Sequence, residues 1–239
     1  NLGVDEIIAV GTSALRDARN SAEVRARLRE RLGFEIRVIS GDEEAAYSFL
    51  AVERGLSLTG ELLVIDIGGG STEFILGNLD GVALALSVNL GSVRLTERYL
   101  HSDPVRGEEI SAMDHAIDRE LGPLVERFQK AKTALTLVGI AGTFTTLSAV
   151  EKRLEHYVHA EVHGSNLTLA EVRRQIRLFS ECSLAERQRI VGLEAKRADV
   201  ILAGACLIER ILNLFGTDRV VVSDQGVRYG LLHERAQSL

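Results

Sequence analysis

The stretch Glu61–Gly77, ELLVIDIGGGSTEFILG, decides how the rest of the chain is read. An apolar run reaches Asp66, three consecutive glycines follow, then Ser71, Thr72 and Glu73, and a second apolar run begins. Glycine has no Cβ, so the backbone N–H groups of Gly68, Gly69 and Gly70 can approach an anion closely. Ser71 and Thr72 can add hydroxyl donors. An aspartate at a strand end can hold a hydrated magnesium ion or orient a water. Two well-known phosphate loops do not fit. The dinucleotide fingerprint needs G-x-G-x-x-G opening a helix, whereas position 73 is Glu and TEFILG is strand-like. A Walker A loop needs Gly-Lys-Ser/Thr, and the segment has no lysine. An ordinary glycine-rich hairpin is the plain alternative. The acid followed by two hydroxyls favours an anion-binding turn between strands.

Working outward, LLVIDIG, STEFILG and GVALALSVNLG are three strand-like runs separated by tight turns, which predicts an antiparallel meander. Upstream, Glu6–Val10 reads as a strand, Ser21–Gly33 as a helix closed by glycine, Phe34–Ser40 as a strand, and GDEEAAYSFLAVERG as a helix with an acidic first turn. Strand, helix, strand, helix, strand predicts an α/β layer with parallel strands. Downstream, helices are expected over Val93–Leu100, Gly107–Ala131 and Leu169–Phe179, with Pro123 allowing a kink. The strand LTLVGIAG precedes a helix TFTTLSAVEKRL. The apolar helix KRADVILAGACLIERILNLFG is followed by a strand and a last helix in RVVVSDQGVRYGLLHERA. A change of pattern near Gly60 marks a boundary between two lobes, residues 1–60 and 61–239.

The chain has 239 residues, of which 46% are hydrophobic, and a net charge of −6. That length suffices for one large domain or two small ones. The apolar runs are too short to span a bilayer, and no signal peptide is evident. Net acidity argues against a protein that coats nucleic acid. Cys182 and Cys206 fall in helix-like segments and need not pair, which suits a reducing, cytoplasmic compartment. Nearly all the positive charge is arginine, which suits bidentate phosphate contacts but also follows from base composition. The first residue is Asn1 rather than Met, so a processed, truncated or excised piece is expected.

Other segments carry candidate chemistry. In SGDEEAA (Ser40–Ala46), three adjacent acids usually complement a helix dipole, yet one could be a general base if it shared a cleft with Asp66. GTSALRDARN offers Arg16 as a phosphate clamp, or simply a capping turn. GIAGTFTTL, Gly139–Leu147, can hold a phosphate or a nucleoside edge, or permit tight packing. In SDQGVRYGLL, helix capping by Ser223 or Asp224 is the expected role. His156, His159 and His163 lack a metal-ligand set and read as a solvated loop.

Together these segments resemble the exopolyphosphatase/guanosine pentaphosphate phosphohydrolase family, Ppx/GppA, within the superfamily of actin, sugar kinases and heat-shock chaperone ATPases. The resemblance rests on GTSALRDARN, VISGDEEAAYSFLAV, VIDIGGGSTEFILG, LGSVRLTERYL, GIAGTFTTLSA, KRADVILAGACLIERIL and VVSDQGVRYGLL, in family order across nearly the whole chain. It implies an α/β, actin-like (ribonuclease H-like) two-lobed fold, with the last helix returning to the first lobe. It implies stepwise hydrolysis of a terminal phosphoanhydride, in polyphosphate or guanosine pentaphosphate, with magnesium. Glu44 is then the base that activates water. Asp66 and Glu73 handle metal and water. Gly68, Gly69, Gly70 and Ser71 cradle phosphate, Arg16 and Asn20 face the substrate, and Gly142 and Thr143 form the second-lobe turn.

The resemblance also implies a first phosphate loop of the form D-x-G-S/T-N-S upstream of the region where this chain starts. The first lobe is therefore expected to be incomplete, with an exposed sheet edge that could pair with a second copy. The C-terminus matches the short members of the family. The rival readings are a nucleotide-binding sensor without significant hydrolysis and a sugar or acetate kinase relative; SGDEEA speaks against the latter.

Overall fold

The computed structural model describes residue 4 and residues 6–129 and 135–237. The chain opens with β1 (Val10–Gly11), α1 (Ser13–Asp17), α2 (Ser21–Leu32), β2 (Arg37–Val38) and α3 (Gly41–Gly55). Then come β3 (Leu62–Ile67), β4 (Thr72–Asn78), β5 (Gly81–Val88), α4 (Ser92–Tyr99) and α5 (Gly107–Gln129). The remainder is β6 (Thr136–Ile140), α6 (Ala141–Glu151), α7 (His159–Val162), β7 (Asn166–Thr168), α8 (Leu169–Glu181), α9 (Leu184–Arg187), a 3-10 turn at Ala195–Arg197, α10 (Ile201–Phe215), β8 (Arg219–Val222) and α11 (Val227–Gln237).

Six strands form the main sheet in the order β5-β4-β3-β6-β8-β7. The expected meander is present: β3 pairs antiparallel with β4, and β4 with β5. On its other side β3 pairs parallel with β6. Strand side chains alternate between faces. Leu62, Val64, Ile75, Val138 and Ile140 therefore meet Ala45, Phe49 and Val52 of α3 on one face. Leu63, Ile65, Ile67, Phe74 and Leu76 meet α5 and α10 on the other, through Met113, Ile117, Leu202 and Ile208. A central strand covered on both faces must be apolar almost throughout, and Asp66 is the single charged residue of β3.

The N-terminal part differs from expectation. Instead of strands over Glu6–Val10 and Phe34–Ser40, only Val10–Gly11 and Arg37–Val38 pair, in parallel. The ladder extends by single bonds from Arg37 N–H to the Ala9 carbonyl and from Ile39 N–H to the Gly11 carbonyl, both 3.0 Å. β3 does not continue this layer, because its two edges are taken by β4 and β6. A small cluster of Ile39, Tyr47 and Leu231, with Val10 and Val227 against it, joins these strands to α3 and α11.

The helix expected from Lys196 to Gly216 is broken. The 3-10 turn ends at Arg197, and α10 starts at Ile201 and closes on Gly216 in the left-handed conformation (φ +66°). α5 runs through Pro123, and residues 130–131 of the helix expected there lie outside the described residues. Among the described residues no helix is long and apolar enough to cross a membrane.

Candidate active site

Strand register places three polar residues in one row. Asp66 of β3 is paired with Glu73 of β4, and Glu73 with Ser87 of β5. Counting by twos from Val64, Ile75 and Ala85 puts all three on the face that α3 covers. The start of α3 is fixed by a capping box: Ser40 Oγ accepts from Glu43 N–H at 3.1 Å, and Glu43 Oε2 from Ser40 N–H at 2.8 Å. Arg37 also holds Glu43, at 2.8 Å. Glu43 thus serves the helix end, while Glu44 lines a cavity of about 150 Å³ with Arg16, Asp42, Glu73 and Ser87. Arg16 Nη1 donates to the Ile39 carbonyl at 2.9 Å and to Glu44 Oε2 at 3.2 Å.

The electrostatics record this convergence. Burial first, then the charges of Glu73 and Glu44, push the Asp66 carboxyl up to about 7. Glu73 Oε1 accepts from Ser71 Oγ at 2.7 Å and from Ser87 Oγ at 2.8 Å. The hydroxyl of Ser71 is therefore engaged with Glu73, and that of Thr72 donates to the Leu90 carbonyl at 2.6 Å.

The glycine loop turns its carbonyls onto α4. Ser92 N–H donates to the Gly68 carbonyl and Arg94 N–H to the Gly69 carbonyl, both at 3.0 Å, and Arg94 Nε reaches the Gly70 carbonyl at 2.9 Å. Gly68 N–H closes the turn on the Ser71 carbonyl. Among the described residues the N–H groups of Gly69 and Gly70 have no backbone acceptor. The contact is close enough that a Cβ at Gly91 would lie 2.4 Å from the Gly69 carbonyl.

The second turn faces the first. Gly142 and Thr143 open α6 directly after Ala141, whose φ of +70° is strained for a residue with a side chain. One cavity of about 410 Å³ is lined by Gly68, Gly69, Gly142, Thr143, Lys196 and Arg197. A Cβ at Gly142 would lie 2.2 Å from the Arg197 guanidinium, so glycine there makes room for that arginine. The Thr143 side chain is buried and would meet a Cβ at Gly204 at 2.5 Å, which makes its packing against α10 tight. Asn20 stands exposed at the start of α2, makes no side-chain capping bond and lines neither cavity.

Ser87, Arg94, Lys196 and Arg197 join the site although residue patterns alone did not single them out. The available signal for the last two was a pair of cations directly before a long apolar run.

Two readings need correction. His159 is exposed, as the solvated reading expects, but His163 is largely buried, and Asp224 faces these histidines instead of capping a helix. Tyr157 Oη donates to Asp224 Oδ2 at 2.9 Å, His159 Nδ1 lies 2.6 Å from the same oxygen, and His163 Nδ1 lies 3.3 Å from Oδ1. The two imidazoles stack at 5.0 Å, and His163 Nε2 donates to the Gly55 carbonyl at 3.0 Å. The chain leaving β8 turns Asp224 towards α7, which brings these groups together. His156 is exposed.

No group of three or more His, Cys, Asp or Glu residues among those described could hold a metal by itself. Two carboxylates with waters and phosphate oxygens is nonetheless the donor set magnesium uses. Burial first, and then the like charges of Glu73 and Glu44, hold the Asp66 carboxyl to its proton, so a cation between these groups would relieve the repulsion. Asp66 and Glu73 fit the ion in that form.

Comparison with known proteins gives a consistent result. The pattern of the Ppx/GppA phosphatase family matches residues 1–239. A bifunctional 3-dehydroquinate synthase/phosphatase of Fusobacterium nucleatum is 35% identical over 234 residues, which is 97% of this chain and 35% of that protein. The chain thus spans about a third of that relative's length. Exopolyphosphatase 2 of Mycobacterium tuberculosis is 34% identical over 237 residues, 95% of this chain and 74% of that one. The crystal structure of the Aquifex aeolicus Ppx/GppA family member superposes with a TM-score of 0.87 at 35% identity, over 98% of this chain and 75% of that chain.

Proposed function

The chain belongs to the Ppx/GppA phosphatase family, and from that premise we propose that it hydrolyses the terminal phosphoanhydride of inorganic polyphosphate. The observation that carries this reading is the convergence of Glu44 from α3 on the Asp66–Glu73 pair, beside a cavity lined by both glycine turns. Residues 1–60, with α11 packed on them, form the lobe that brings Glu44 and Arg16. Residues 61–239 form the lobe that brings the carboxylate pair and the turns.

Each residue then has a task. Arg16 holds Glu44 Oε2, and Glu44 takes the proton of the water that attacks the terminal phosphorus. The bond from that phosphorus to the bridging oxygen breaks, and the shortened chain leaves. The Gly69 and Gly70 amides and the Arg197 guanidinium hold phosphate oxygens in line. Asp66 and Glu73 would hold magnesium, which when bound would neutralise phosphate charge.

One observation favours guanosine pentaphosphate as the second reading. A cavity of about 430 Å³ lined by Thr145, Ala149, Leu154, Tyr157 and Leu193 shares Arg197 with the phosphate cavity, and it has room for a ring. Phosphate release from polyphosphate and from guanosine pentaphosphate, with magnesium and with chelator, tests both readings. Magnesium-dependent release from polyphosphate, at a kcat/KM above that for the nucleotide, is expected. The reverse preference would establish the second reading. Equal inactivity would favour a nucleotide-binding sensor.

A further inference from the structure

We propose that Ser87 is a positioning residue for Glu73, and that the Ser71–Glu73–Ser87 clamp sets which carboxylate oxygen is offered to a divalent cation. The proposal rests on the functional reading above in giving Glu73 to the metal. β5 is an edge strand, GVALALSV, and Ser87 is its single side chain with a hydrogen-bonding group. It falls on the residue paired with Glu73, which is the single charged residue of β4. Glu73 in turn is paired with Asp66, the single charged residue of β3. Each strand is thus apolar or uncharged around one polar position, and the three positions are cross-strand neighbours on one face.

The geometry gives the hydroxyl a definite task. Glu73 Oε1 accepts two O–H donors, from Ser71 at 2.7 Å and Ser87 at 2.8 Å. One comes from the glycine loop and one from the neighbouring strand. Two donors on one oxygen restrain the carboxylate more tightly than either would alone. Among the described residues no side chain or backbone donor is placed on Oε2, which leaves that oxygen for a cation or its water. Ser71 alone would leave the carboxylate free to pivot about one bond. Hydroxyls that hold a ligating carboxylate in this way raise metal affinity, and their loss costs about 10- to 100-fold.

A merely structural role predicts something different. Ser87 is exposed, so losing its hydroxyl should hardly affect folding. The test compares the parent protein with Ser87→Ala and Ser87→Thr in three measurements. These are manganese binding followed by electron paramagnetic resonance, magnesium binding by calorimetry, and steady-state phosphate release. Ser87→Ala is expected to bind either ion about tenfold or more weakly, with its melting temperature within about 2 °C of the parent. Its activity should recover as magnesium is raised, so the loss appears in the magnesium requirement rather than in kcat at saturation. Ser87→Thr, which keeps the hydroxyl, should restore the parent's affinity. Unchanged ion binding in Ser87→Ala would overturn the proposal, as would a parent protein that binds no divalent ion. Weakened binding that Thr does not rescue would overturn it too, since the hydroxyl would not be the cause. If the parent binds the ion but hydrolyses neither substrate, the functional reading fails while the comparison of Ser87 variants still decides this one.

Discussion

At the scale of residues, three carboxylates divide their work by what each touches. Glu43 and Glu44 are chain neighbours, yet Glu43 is used up by the capping box and Arg37, and Glu44 faces the cleft. Glu44→Gln should therefore lower turnover by about 10²-fold or more, the ordinary loss for a general base. Binding of polyphosphate, measured by titration, should stay within a few-fold, because Gln keeps the shape and a hydrogen bond to Arg16 is not what holds the phosphates. Near-normal turnover would remove Glu44 from the chemistry. Asp66 makes a separate prediction about pH in the metal-free protein. Its carboxyl releases its proton at about 7 when folded, because of burial and the charges of Glu73 and Glu44, and near the ordinary 3.8 when unfolded. Between those values the folded chain binds more protons, so stability falls as pH rises from about 4 to about 7. Asp66→Asn removes that cost. Its unfolding free energy at pH 8 should exceed the parent's by an amount on the order of 4 kcal/mol, and the two stability curves should meet near pH 4. A gain that persists at pH 4 would show that ionisation of Asp66 is not its source.

At the scale of elements, the phosphate loop depends on what lies beneath it. α4 gives its first N–H groups to the loop carbonyls, and Gly91 allows the approach. Gly91→Ala would put a Cβ 2.4 Å from the Gly69 carbonyl. A loss of about 1–3 kcal/mol in denaturant unfolding is expected, with a larger proportional loss in phosphate binding, because the loop must lift away from α4. A variant with parent-like affinity would show that the loop backbone is not the cradle. This dependence also explains what was legible in the sequence. The Asp66–Glu73 pair and its meander could be read because three apolar, β-branched runs between Leu62 and Val88 are separated by tight glycine turns. The opening strands could not be sized, since Ile7, Ile8 and Ile36 look strand-like whether or not a partner lies beside them, and pairing stops after two residues. The short α7, β7 and α9 have too few residues to show a period. The Tyr157–His159–His163–Asp224 group escaped notice because its members lie up to 67 residues apart, and only the turn after β8 unites them. Arg197 was hidden for the opposite reason: it lay inside a segment whose apolar run suggested one uninterrupted helix, whereas the break before Ile201 is what turns it towards Gly142.

At the scale of the whole molecule, the base and the carboxylate pair belong to different parts of the chain, so their distance is a property of packing. α3 carries Glu44 at one end and rests on the main sheet through Ala45, Phe49 and Val52. α11, from the far end of the sequence, lies against α3 at a crossing where Gly230 meets the Tyr47 backbone. Tyr47 fastens that crossing, donating to Glu234 at 2.8 Å and accepting from Arg37 at 2.9 Å. Arg37 in turn holds Glu43, next to the base. A methyl group at position 230 would come within 2.0 Å of the Tyr47 carbonyl. The two helices must then separate, and the displacement reaches Glu44 through α3, whereas Asp66, Glu73 and Ser87 are held by the pairing of β3, β4 and β5. Gly230→Ala should consequently lower the melting temperature and cut turnover by about tenfold or more, while magnesium affinity stays within about twofold of the parent. Loss of ion binding in step with turnover would mean that the sheet itself had been disturbed. Parent-like turnover in a destabilised protein would mean that the sheet contacts of α3 place Glu44 without help from α11.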